Sequence, residues 1–187
     1  FAFLPRKFKI AVTGAAEDRA AIAWHDIGLH LRQNAQGEVG FEVLVGGGMG
    51  RAPVIGSRIR EFLPWQQILV FIEAIVRVYN RYGRRDNLYK ARIKILVKAE
   101  GQKFIDAVEE EFRHILNDDA DGAAHLIPQA ELDRVKASFA LPEGVAAGAP
   151  SAAPANATSA FARWLQRNVH AHRLPGYRAV TLSLKRS

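Results

Sequence analysis

The sequence contains no cysteine and a single methionine, Met49, in 187 residues. Without cysteine, this stretch of chain offers no disulfide, no thiolate zinc site, no thiol nucleophile and no cysteine-ligated iron–sulfur cluster. No uninterrupted apolar run reaches about 18 residues, so a membrane-spanning helix is not expected. Acid is also scarce, with 19 Asp plus Glu against 26 Lys plus Arg and a formal charge of +7. That balance attracts anions, whether nucleic acid, acidic lipid, acidic protein or anionic cofactor, without choosing between them. The six histidines, at 25, 30, 114, 125, 170 and 172, have no metal-ligand spacing. The His170–His172 pair shares a face only if that segment is extended, and His25-Asp26 is too short to make a coordination shell. No Ser/His/Asp triad follows from spacing, and no metal site is expected.

The remaining composition, 49% hydrophobic and 24% charged, is that of an ordinary folded domain. Length sets an expectation of one domain with room for a piece of another. The chain opens Phe1-Ala2-Phe3-Leu4-Pro5 without the order of a signal peptide. It stops at Leu184-Lys185-Arg186-Ser187, just after a strand-like alternation. These ends read as those of an internal fragment of a longer protein, the alternative being a piece trimmed at a natural boundary.

Alternation of Phe8, Ile10 and Val12 with Lys7, Lys9 and Ala11 predicts a strand over Lys7–Val12, followed by a loop from Thr13 to Asp18. Ile27, Leu29 and Leu31 alternate in the same way. Asn34-Ala35-Gln36-Gly37 supplies turn residues, and Val39–Val45 runs back, so an antiparallel hairpin is expected. The run Gly46-Gly47-Gly48-Met49-Gly50 follows; it matches neither the phosphate-loop nor the dinucleotide pattern, but permits close approach of backbone to a ligand.

A helix is expected from about Pro64 to Tyr82, with Ile68, Phe71, Ile72, Ile75, Val76 and Tyr79 as its apolar stripe and Gly83 as its stop. A second should run from Gln102 to Leu116 on Phe104, Val108, Phe112 and Ile115, with Glu109, Glu110 and Glu111 toward solvent or at its edges. Between them Ile93, Ile95 and Val97 alternate with charge, which by periodicity alone favours a strand. Residues 117–160 read as a variable loop or linker, with Asp118, Asp119, Asp121 and Gly122 suggesting a surface loop and residues 142–160 dominated by Ala, Pro, Gly and Ser. Phe161, Trp164 and Leu165 then show helical spacing, and Tyr177–Leu184 reads as a strand.

Two basic constellations stand out. The first is Arg6-Lys7-Phe8-Lys9, where extended backbone puts both ammonium groups on one side and suits either a solvated face or a small anion. The second is Arg77, Arg81, Arg84, Arg85, Lys90, Arg92, Lys94 and Lys98, with Asp86 the only acid among them. Arginine offers planar, bidentate recognition of carboxylate or phosphate, and lysine a mobile point charge. A solvated face, a nucleic-acid surface and a polycarboxylate site all fit this pattern, although no zinc-finger spacing or RNA-binding aromatic signature accompanies it.

Leu4-Pro5-Arg6-Lys7-Phe8-Lys9 resembles a segment of the haem-containing subunit of sulfite reductases and the related ferredoxin-type nitrite reductases. Further similar segments follow in the same order: Val39-Gly40-Phe41-Glu42-Val43-Leu44-Val45-Gly46-Gly47-Gly48, the helix around Glu73-Ala74, and Tyr82-Gly83-Arg84-Arg85-Asp86-Asn87 leading into Lys90-Ala91-Arg92-Ile93-Lys94. The resemblance covers residues 4 to about 115, and His172–Leu184 looks like the opening of a second half-repeat.

It implies an α+β fold with an antiparallel sheet and packed helices, truncated at the start of the second ferredoxin-like half. The implied organisation is a reductase domain over 1–116, a variable segment over 117–160 and an incomplete repeat over 161–187. The family's cofactors are sirohaem and a [4Fe-4S] cluster, and its reaction is the six-electron reduction of sulfite to sulfide or nitrite to ammonia. By resemblance, Lys7 and Lys9 lie beside the substrate oxyanion. Arg6, Gly46, Gly47, Gly48, Asn87, Arg92 and Lys94 fall to the cofactor, and Ala91–Ala99 becomes helical. The donor would be ferredoxin or a flavoprotein, with no membrane and no nucleic-acid partner. The cluster's cysteines are absent here, so the isolated fragment is expected to be inactive as a reductase. The competing expectation is a basic module that binds nucleic acid or another polyanion.

Overall fold

The computed structural model describes residues 4–5, 7–117, 125–140, 158–172 and 174–184. Arg6, residues 118–124 with the surface loop expected there, Arg173 and most of the Ala/Pro/Gly/Ser-rich segment therefore lie outside the described residues. The chain divides into two compact units, Phe1–Val135 and Lys136–Ser187.

The first unit is built on a four-stranded sheet in the order β1 (Ile10–Thr13), β2 (Ile27–Gln33), β3 (Val39–Val45) and β4 (Ser57–Pro64). β2, β3 and β4 are antiparallel, whereas β1 runs parallel to β2. The expected hairpin is present. Asn34 Oδ1 accepts from the Gln36 and Glu38 amides, and Gly37 supplies the positive φ (82°) that closes the turn.

The first strand starts later than the alternation suggested, at Ile10 rather than Lys7, and its orientation is the reverse. Ala11 and Thr13 point inward while Ile10 and Val12 are exposed. β1 is an edge strand, so what faces the core is set by its parallel register with β2, not by which residues are apolar.

The 3₁₀ turn Ile22–Trp24 fits between two glycines. A Cβ on Gly28 would come within 2.3 Å of the Ile22 carbonyl oxygen, and one on Gly47 within 2.3 Å of the Ala23 carbonyl oxygen. The turn is entered through Ala21 in a left-handed conformation (φ 52°), and the Asp18 carboxylate accepts from the Ala20 and Ile22 amides beside it.

One face of the sheet is covered by α1 (Ile68–Tyr82), α2 (Ile93–Glu100) and α3 (Gln102–Asn117). Phe71, Ala74, Ile75, Val78 and Tyr79 of α1 meet Phe104, Val108, Phe112 and Ile115 of α3 in a dry core. Phe71 and Phe112 pack edge to face at 5.1 Å. Pro64 ends β4, and a 3₁₀ turn over Trp65–Gln67 leads into α1, so the helix begins four residues later than expected. Gly83 does end α1, but with extended backbone. What glycine provides there is room against Tyr79, whose carbonyl and ring would lie 2.5 Å from an added Cβ.

Two local expectations are corrected. Residues 93–100 are helical, as the resemblance implied and the alternation did not. Ile93 and Val97 satisfy both periods, but Leu96 is buried with them, which only the helical period explains. Glu111 is buried instead of solvent-facing, because Arg77 and Arg81 reach across from α1 to pair with it.

Helix α4 (Gln129–Ala137), not anticipated from sequence, buries none of its residues. In the second unit α5 (Ser159–Asn168) is capped by Thr158 Oγ1, which accepts from the Phe161 amide. The hairpin of β5 (Val169–Ala171) and β6 (Arg178–Val180) follows, so the last strand is shorter than Tyr177–Leu184.

Candidate functional site

Sequence reasoning placed eight cations between positions 77 and 98, and the fold separates them. Arg77 pairs with Glu73 (2.7 Å) and Glu111 (3.4 Å), and Arg81 with Glu111 (3.0 Å). Arg84 binds Asp86 through two nitrogens, and Arg85 lies over the Tyr79 ring at 4.6 Å. These arginines are taken up by the helical layer, so the dense basic run is not one continuous anion surface.

Arg92 and Lys94 go elsewhere. Together with Lys7, Met49–Ala52, Leu88, Tyr89 and Ile95 they line a concavity of about 500 Å³. A smaller hollow of about 100 Å³ adjoins it, bounded by Lys7, Lys9, Trp24, His25, Asp26, Gly48, Met49 and Arg92. Both basic constellations thus meet at one place. The strand start that brings Lys7 and Lys9 there precedes β1 and is tied to β2 by the Ile27 amide, which donates to the Lys9 carbonyl.

The cations of this site are held in different ways. Arg92 Nη2 donates to Asp26 Oδ1 at 2.9 Å, while among the described residues its buried Nε has no hydrogen-bond partner. Lys94 is buried, and its ammonium donates to the carbonyl oxygens of Ala52 (2.6 Å) and Met49 (3.4 Å). Burial, reinforced by the Arg92 charge and opposed by Asp26, holds the Lys94 pKa below its ordinary value. Lys7 and Lys9 are exposed, and their ammonium groups make no ion pair among the described residues.

Of Gly46, Gly47 and Gly48, only Gly48 lines the smaller hollow; Gly46 and Gly47 are buried and line neither hollow. Gly46 takes a positive φ (86°) and its amide donates to the Asp26 carbonyl. Gly47 packs against Ala23 and His25 backbone, and a Cβ on Gly48 would lie 3.0 Å from Lys94 and 3.2 Å from Arg92. Trp24, Gly48, Met49, Pro53, Val54 and Ile55 line an apolar shelf, with Trp24, Met49 and Ile55 largely exposed. Asn87 stands apart: it lines neither hollow, and its Oδ1 accepts from the Tyr89 amide in a turn. Arg6 lies outside the described residues.

Asp26, Trp24 and Met49 belong to the site but were not singled out for it from sequence. The available signal was an acid directly before the apolar strand Ile27–Leu31, where a carboxylate must find partners. Among the described residues no group of three or more His, Asp or Glu is placed to hold a metal, and no helix is long and apolar enough to cross a membrane.

Fold and site together define an α+β domain presenting a cationic hollow beside an apolar shelf, a chemistry suited to anions. Residues 1–116 match the nitrite and sulphite reductase 4Fe-4S domain, and the chain belongs to that family. It is 42% identical over 118 residues to a ferredoxin sulfite reductase of Synechococcus elongatus, covering 59% of this chain and 19% of that protein. It is 36% identical over 115 residues to an assimilatory ferredoxin-dependent nitrite reductase of Haloferax mediterranei, covering 58% and 20%. The solved structure of the Mycobacterium tuberculosis NirA protein superposes with a TM-score of 0.55 at 30% identity, over 60% of this chain and 20% of that one. The chain therefore spans about a fifth of the length of these relatives.

Proposed function

We propose that this domain supplies the cationic wall of an oxyanion-reducing site in a longer sulfite or nitrite reductase. The observation that carries the proposal is the convergence of Lys7, Lys9 and Arg92, distant in sequence, on one hollow that Gly48 also lines. The residues fit the family's cofactor in kind. A macrocycle bearing carboxylates needs an apolar surface and cations close together, and Trp24 and Met49, which share the apolar shelf with Ile55, also share the smaller hollow with Arg92. The unpartnered Arg92 Nε marks a guanidinium with donor capacity that the protein leaves unused.

In this reading Arg92 meets cofactor carboxylates, and Gly46–Gly48 let the backbone approach closely. Lys94 contributes its charge from behind, while its ammonium secures the Met49–Ala52 loop. The resemblance also assigns Arg6 and Asn87 to the cofactor, although Asn87 lines neither hollow. Sirohaem coupled to a [4Fe-4S] cluster, when bound, would relay six electrons from the donor for the conversion of sulfite to sulfide or nitrite to ammonia. Lys7 and Lys9 hold the oxyanion by charge-assisted hydrogen bonds. They stabilise negative charge and pass protons to oxygens leaving as water.

The cluster's thiolates come from outside these 187 residues, which contain no cysteine, so the chain alone does not turn over. The α5–β5–β6 unit begins the second half-repeat. Ferredoxin is the electron donor suggested by the Synechococcus and Haloferax relatives, and a flavoprotein by the NADPH sulfite reductase component of Staphylococcus haemolyticus. The enzyme is placed in the cytoplasm.

The test is to purify the full-length protein carrying this domain anaerobically, record its optical spectrum, and assay both oxyanions with a chemical electron donor. Sirohaem-like absorption with turnover is expected, and the ratio of the two rates names the substrate. A colourless protein, made under conditions that support cofactor assembly, that binds nucleic acid with steep salt dependence would replace this reading with the polyanion one.

A further inference from the structure

We infer that Asp26 is the positioning residue of this hollow, a single buried carboxylate that fixes the lysine segment and Arg92 relative to each other. The inference deepens the proposed oxyanion site and rests on that reading for its functional consequence.

The carboxylate is 1% exposed, and each oxygen serves a different part of the chain. Oδ2 accepts from the Lys9 amide at 3.0 Å, and Oδ1 from Arg92 Nη2 at 2.9 Å. The residue's own carbonyl accepts from the Gly46 amide at 3.0 Å, and the next amide, Ile27, donates back to the Lys9 carbonyl at 3.2 Å. Three segments distant in sequence, at 7–9, 46–48 and 92, are thereby joined through one residue.

The carboxylate suits this task for a chemical reason. Both partners are donors, so both positions require acceptors. A carboxylate has two acceptor oxygens, and an amide of the same shape has one. Asp26→Asn must turn an N–H toward either the Lys9 amide or the Arg92 guanidinium, and it leaves a part-buried cation without its counter-charge.

The charge balance agrees. Among the described residues Asp26 is the one acid lining the smaller hollow, set against Lys7, Lys9 and Arg92. It compensates Arg92 and leaves the two ammonium groups for an anion. Lys9 and Arg92 make no hydrogen bond to each other, and this carboxylate is bonded to both.

The test uses the full 187-residue chain, with inorganic sulfite as the probe, comparing wild type, Asp26→Asn and Arg92→Gln by NMR. Amide exchange is read at Lys9 and, as a core control, at Val43. Exchange at Lys9 is expected to accelerate roughly tenfold or more in both variants while Val43 keeps its protection. The sulfite midpoint at the Lys9 signal should rise about tenfold in Asp26→Asn, although removing an acid by itself would tighten anion binding. Unchanged Lys9 protection in Arg92→Gln overturns the inference, and it does not require the Asp26 variant to fold. Equal acceleration at Val43 and Lys9 also overturns it, by assigning the carboxylate to general stability. If sulfite does not perturb the cofactor-free wild-type chain, the exchange data decide the positioning role alone, and the oxyanion reading is decided separately by sulfite turnover in the cofactor-loaded full-length protein.

Discussion

Helix α1 with its following turn, and the hollow that Gly48 lines, draw on the same residue types with opposite results. Arg77, Arg81 and Arg84 lie close in sequence, and each has a carboxylate within hydrogen-bond distance: Glu73, Glu111 or Asp86. Lys7, Lys9 and Arg92 lie up to 85 positions apart in the numbering, yet they share one hollow and one acid. Three arginines of the dense run thus each meet a carboxylate near α1, whereas the hollow gathers three cations around the single acid among its described residues. Cation density therefore locates a site less well than cations brought together without enough acid to pair them.

The comparison is most severely tested where the hollow depends on backbone contact. Gly47→Ala drives a methyl into the Ala23 and His25 backbone, none of which can yield as a flexible side chain would. A loss of about 3 kcal/mol is expected from chemical denaturation, an outcome at the upper end of overpacking effects. On the α1 side, Glu111→Ala removes the acceptor of two arginines and should cost about 1.5 kcal/mol. It should leave sulfite affinity unchanged, which titration of the variant checks.

Ala21→Gly relieves the left-handed residue that leads into the turn behind the hollow. It should stabilise the chain by about 1 kcal/mol, measured by the same denaturation. The smallest effect concerns a third basic cluster, on the sheet. Burial raises the Glu42 pKa, but hydrogen bonding and charge from Arg32, with help from Arg58, outweigh it and leave the pKa below 4.5. A carboxylate lowered in the folded state adds stability above its unfolded pKa and loses it as pH falls through the folded value. Glu42→Gln should therefore cost about 0.5 kcal/mol at neutral pH and nothing in strong acid, shown by stability curves at several pH values.

Much of this was legible in the sequence, and the failures share a cause. The hairpin, both long helices and the apolar stripes of α1 and α3 follow from periodicity, because each element satisfies one period over many residues. Residues 93–100 are too short for that, since Ile93 and Val97 fit strand and helix equally. The inward turn of Ala11 and Thr13 comes from register with β2, a property of two segments rather than one. Asp26 was hidden for the same reason. Its partners are 17 and 66 positions away, and no local pattern announces a carboxylate that serves both. The lysine pair and Arg92 were legible through family resemblance, whereas their meeting in one hollow required the fold.

The central claim is that open charge in the hollow acts on the oxyanion and neutralised charge near α1 does not. It is tested most directly by comparing Lys9→Ala with Arg84→Ala in the cofactor-loaded full-length enzyme under steady-state sulfite reduction. The account predicts that Lys9→Ala lowers kcat/KM by about 100-fold with an unaltered optical spectrum, and that Arg84→Ala changes nothing measurable. Equal losses in the two variants, or a larger loss in Arg84→Ala, would contradict it.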